Sequence, residues 1–139
     1  MRPRVEPLSR PHDAALLAVR LYLGGFLVWG VWDNIASAER MAEFAAFLGG
    51  LNCPWPHIAA PVSVWVQFAC GLLLLPGLWT RWVGLLIGLN FAVAVVLIGG
   101  AGGDARAVYE PAITGLVGLL LATGGPGRFA VSFGGRRRR

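Results

Sequence analysis

Four long apolar stretches occupy most of this 139-residue chain, and nearly every arginine falls in the gaps between them. They cover about 14–34, 58–79, 82–101 and 108–123. Each is close to the roughly 17–25 residues that a helix needs to cross ~30 Å of hydrocarbon. Lipid offers no hydrogen bonds to a bare backbone, so spans of this kind must be α-helices. The expected fold is therefore all-α: a polytopic membrane four-helix bundle. Hydrophobic residues make up 56% of the chain and charged residues 14%, against ~25% charged in soluble domains. The length allows one membrane domain, over 13–127, between a basic arm (1–12) and a basic tail (128–139).

The net charge is +5, and all twelve basic residues are arginine. They lie beside the spans rather than on one soluble face, which argues for anionic lipid headgroups as partners and against nucleic acid. Cytoplasmic loops of membrane proteins collect Lys and Arg. Arg2, Arg4, Arg10, Arg81, Arg128 and Arg136 to Arg139 fall on one side, nine in all, against Arg40 and Arg106 on the other. That asymmetry predicts a multi-pass protein of the bacterial inner membrane with both termini cytoplasmic. Tryptophans agree with the layout: Trp79 and Trp82 flank the turn between spans 2 and 3, and Trp29 and Trp32 mark the outer end of span 1. Ala36-Ser37-Ala38 resembles a signal-peptide cleavage site, but the preceding stretch is long and contains Arg20, so no cleavage is expected.

Between spans 1 and 2, residues 37–51 read as a short interfacial amphipathic helix. Ser37 suits the N-cap, Glu39 suits the first turn, and Met41, Phe44, Leu48 and Leu51 form one apolar face. Three prolines and three arginines in residues 1–12 predict an extended or disordered arm. In span 3, Gly84, Gly88 and Ala92 recur every four residues, a row that lets helix backbones meet within the bundle. Span 4 is expected to open at Tyr109-Glu110-Pro111, with the proline in the first turn.

Ionisable groups inside spans cost about 2.5–3.5 kcal/mol near the centre, so they mark candidate sites. Arg20 either snorkels to headgroups or faces inward to form a polar cluster with Gln67 and Asn90, at neighbouring depths in spans 2 and 3. A second candidate is an outer-mouth pocket of Trp29, Asp33, Asn34, Tyr109 and Glu110. Asp33 could instead be a solvated interfacial charge, and Glu110 a partner of its helix dipole. Cys53 and Cys70 match no CxxC or zinc spacing, and His12 and His57 fall on opposite sides of the membrane. No metal site, phosphate loop or catalytic triad is visible, and catalytic residues stay unassigned. The chain offers no ligand set for a tightly bound cofactor; a quinone held between spans is the one its polar groups could serve.

Arg20-Leu21, Gly25 to Gly30, Phe44 to Leu51, Gly71 to Arg81, Tyr109-Glu110 and Gly125 to Arg128 together resemble the DoxX family of small four-span bacterial membrane proteins. Gly77-Leu78-Trp79-Thr80-Arg81 and Tyr109-Glu110 are the more specific parts. Trp29 stands where many members carry a histidine, and Gln67 where many carry a glutamate. The resemblance implies association with respiratory or redox complexes. Three readings follow: a non-catalytic accessory or docking subunit with protein partners or further copies of itself; a quinone-binding component of a membrane oxidoreductase; and a small transporter acting as an oligomer.

Overall fold

The computed structural model describes residues 9–131. Among them are five helices and no strand: α1 (Ser9–Ala36), α2 (Ala38–Gly50), α3 (Pro56–Leu74), α4 (Thr80–Gly100) and α5 (Ala105–Gly124). α1, α3, α4 and α5 are each long and apolar enough to cross a membrane, which makes the chain a multi-pass membrane protein. α2 is the expected amphipathic helix. The Ser37 side chain accepts from the Arg40 N–H, and Ala45 and Leu48 are buried. Met41, Phe44 and Leu51 pack around them against Ala59, Ala60 and Leu97.

Two helix boundaries differ from the sequence expectation, each for a local reason. α3 stops at Leu74 rather than near 79, because the chain turns sharply there. The Leu78 N–H bonds back to the Leu73 carbonyl and the Gly77 N–H to the Leu74 carbonyl, with Gly77 at φ +82°. This is the double back-bond with a left-handed glycine that closes many helices. α5 starts at Ala105 rather than 108, because the Asp104 carboxylate accepts the Ala107 N–H and caps the helix there. Tyr109, Glu110 and Pro111 therefore lie beyond the first turn. The expected arm over 1–12 is helical from Ser9 onward, while residues 1–8 and the run Arg136 to Arg139 lie outside the described residues.

Glycines divide the bundle into two pairs of helices. A Cβ on Gly24 of α1 would meet the Gly71 carbonyl oxygen of α3 at 2.9 Å, and one on Gly71 would meet the Gly24 oxygen at 2.8 Å. In the other pair, a Cβ on Gly84 of α4 would strike the Gly118 oxygen of α5, and one on Gly88 would meet Leu119 at 2.8 Å. The small-residue row of span 3 thus serves packing within the chain. Contact between the two pairs is thinner, and α1 scarcely touches α5.

One end of the bundle carries both ends of the described chain. There the Asp13 carboxylate accepts the Arg128 N–H at 3.2 Å, and the Val131 N–H bonds to the Pro76 carbonyl at 2.9 Å. Leu16, Leu23, Leu27, Cys70, Leu74, Val83, Ile87 and Leu121 form the main core toward this end. A smaller core sits beneath α2 at the opposite end.

Candidate functional site

Arg20 is fully buried, at 0% exposure, so it does not snorkel. Nor does it reach Gln67 or Asn90. Its Nε donates to the Leu74 carbonyl at 3.2 Å and one terminal nitrogen to the Leu75 carbonyl at 3.2 Å. The other donates to the carbonyls of Pro126 at 2.7 Å and Phe129 at 3.3 Å. The last carbonyls of a helix have no partner within it, and lipid supplies none. Arg20 satisfies those at the end of α3, where the helix dipole also favours a cation. It simultaneously ties down the segment after α5. Gly77 allows this approach, since a Cβ there would collide with the guanidinium.

Gln67 and Asn90 do come together, through a residue that sequence reasoning did not single out. Ser63 Oγ donates to Asn90 Oδ1 at 3.0 Å, and Gln67 Nε2 donates to Ser63 Oγ at 3.1 Å. Ser63 and Gln67 stand four residues apart on one face of α3, a spacing that could have flagged the pair. No protein group is bonded to Asn90 Nδ2 or Gln67 Oε1 among the described residues, so the trio still offers N–H donors and one acceptor.

These three residues lie in the wall of a cavity of about 720 Å³ between α3, α4 and α5, with α2 at its mouth. That volume falls within the roughly 300–1,000 Å³ of small-molecule sites. Phe44, Phe47 and Phe91 contribute aromatic wall, while Arg106 and Glu110 line it from α5. Arg106 and Glu110 are four residues apart yet form no ion pair: among the described residues the ion pair is Arg40–Glu43, at 3.1 Å on α2. Half-buried Cys53 also lines this cavity, whereas Cys70 is buried in the main core.

The five residues proposed for an outer-mouth pocket do not share one. Trp29 is 81% exposed on the lipid-facing side of α1, and Tyr109 is also exposed. Asp33 and Asn34 instead organise the link to α2: Asp33 accepts the Asn34 N–H, and Asn34 Nδ2 donates to the Arg40 carbonyl. Of the five, Glu110 alone lines this cavity, and it also lines a second one. The second, about 520 Å³, is the groove between α1 and α5. His12 and His57 stand at opposite ends of the bundle, at the starts of α1 and α3.

Residues 15–100 match the DoxX family, a stretch running from within α1 to the end of α4. The match leaves out α5 and with it Arg106 and Glu110. No curated protein and no solved structure matches the chain. Since the match spans more than half of the residues and takes in three of the four membrane-spanning helices, this chain belongs to the DoxX family.

Proposed function

We propose that this protein is a non-catalytic subunit of a redox or respiratory complex in the bacterial inner membrane, and that it holds a quinone-class amphiphile for its partners. The observation that carries the reading is the Ser63–Gln67–Asn90 trio in the wall of a cavity otherwise built largely of apolar side chains. A quinone ring presents two carbonyl oxygens on an apolar body with an isoprenoid tail. Asn90 Nδ2 can donate to one oxygen, and the apolar walls accept the ring and the first part of the tail. A few placed polar groups in an apolar pocket give orientation, which is how such sites select their ligands. Arg20 has no part in it, because it is buried away and committed to carbonyls.

The test is quinone content after purification in mild detergent, with any partners retained. The wild-type chain should carry quinone in a fixed ratio to protein, above the level in the bulk lipid extract. Gln67→Leu with Asn90→Leu should lower it at least fivefold while the protein still elutes as a folded species. Equal quinone in both proteins would sink the reading.

A further inference from the structure

We propose that the groove between α1 and α5 binds a lipophilic organic cation, with Glu110 holding the charge and Tyr22 and Phe26 facing the apolar bulk. The groove is lined by Ala18, Val19, Tyr22, Leu23 and Phe26 from α1, and by Glu110, Ile113, Thr114 and Val117 from α5. Its lining contains one carboxylate and no basic residue. Arg106, one turn away on α5, lines the other cavity and is absent from this one. Arg20, although on α1, is buried with its guanidinium turned to the carbonyls of Leu74, Leu75, Pro126 and Phe129. Among the described residues Glu110 thus meets no compensating charge on the groove side.

Depth makes that charge consequential. Glu110 is the sixth residue of α5, about 8 Å along the axis from Ala105 at 1.5 Å per residue. Glu110 is exposed on the surface of a membrane-spanning helix, and an acidic side chain among spans marks an ion or substrate path by default. Aromatic faces attract cations through their quadrupole, most strongly where water is excluded. Tyr22 and Phe26 are four residues apart on α1 and so share a helix face. A carboxylate, two aromatic rings and apolar walls are together complementary to a phosphonium or quaternary ammonium ion with bulky apolar substituents. Such ions partition into the bilayer, and the gap between α1 and α5 gives them a lateral entrance. A neutral lipid chain would fill the groove equally well by shape, but it would leave the carboxylate without a partner.

Binding of tetraphenylphosphonium to the full-length protein in zwitterionic nanodiscs, followed by equilibrium dialysis, tests the site. Saturable binding is expected, weakened at least tenfold by Glu110→Gln and severalfold by Tyr22→Leu with Phe26→Leu. Glu110→Asp should bind within about threefold of wild type, which guards against a folding artefact in the glutamine variant. Gln67→Leu should bind as wild type does, because Gln67 belongs to the other cavity. Unchanged binding in Glu110→Gln, equal competition by uncharged tetraphenylmethane, or loss of binding in Gln67→Leu would each overturn the proposal. Quinone content is read separately, so neither result decides the other.

Discussion

Among the described residues Arg20 pairs with backbone carbonyls and no side chain, and that governs what its replacement does. Substituting leucine removes Arg20 as donor to the carbonyls of Leu74, Leu75, Pro126 and Phe129, of which Leu74 keeps the Gly77 N–H. Each buried polar group left without a partner costs about 1–3 kcal/mol, so Arg20→Leu should destabilise the bundle by about 3 kcal/mol or more. Arg20→Lys keeps the charge but not the planar fork, and should fall between leucine and wild type. Midpoints of unfolding in mixed detergent–SDS titrations would rank the three proteins. A leucine variant as stable as wild type would mean that those carbonyls find other donors. The depth of Arg20 was legible in the sequence, and so was its cost. Its partners were not, because a carbonyl belongs to every residue and carries no sequence signature. Gln67 and Asn90 were recognisable as polar side chains in apolar spans, yet Ser63, which joins them, passed as an ordinary small residue.

At the scale of elements, the glycines separate into those that hold a contact and those that do not. A Cβ on Gly84 would strike the backbone of Gly118 and Ala122, and one on Gly118 would meet the Gly84 oxygen at 2.9 Å. Neither neighbour is the free end of a side chain, so relief requires α4 and α5 to move apart. Overpacking of this kind costs about 1–3 kcal/mol, and Gly84→Ala or Gly118→Ala should show it in the same titrations. Gly25 and Gly30 have open space around the Cβ position. Alanine there should be neutral or stabilising by up to about 1 kcal/mol through helix propensity. Gly84→Ala behaving like Gly25→Ala would remove the glycine contact from the account of the fold. The span 3 row was readable because its period matches a helix face, whereas its partners Gly115 and Gly118 are three residues apart and make a less regular pattern. α5 was placed too late for a comparable reason. Proline is favoured at a helix opening, but Asp104 supplies a side-chain cap further upstream, and a helix can carry a proline such as Pro111 in its second turn at the loss of one backbone bond.

For the molecule as a whole, the number of spans and the end contacts put residues 9 and 131 at the same end. Which side of the membrane that end faces is a matter of charge. Moving arginines outward is opposed in bacterial membranes, and short loops obey the bias most closely. By sequence, nine arginines belong to the segments before α1, between α3 and α4 and after α5, and only Arg40 and Arg106 to the other two connections. That ratio predicts a cytoplasmic face for the former and leaves α2, with the mouth of the larger cavity, outside. Cysteine labelling in intact cells reads this directly, in a background of Cys53→Ser and Cys70→Ala. Ala42→Cys, on the exposed face of α2, should react with a membrane-impermeant maleimide added outside. Val131→Cys, exposed at the opposite end, should react only after permeabilisation. The reverse pattern would invert the protein, and labelling of both before permeabilisation would break the even number of crossings. The orientation also decides what approaches each site. With α2 outside, the Ser63–Gln67–Asn90 cavity opens toward the outer leaflet, so a partner exchanging a ligand with it must dock on that face. The Arg20 clamp at the cytoplasmic end would then tie the segment after α5 to the end of α3, while beside the cavity α3 and α4 are joined by the Ser63–Asn90 bond and by Leu97 packed against Ala60.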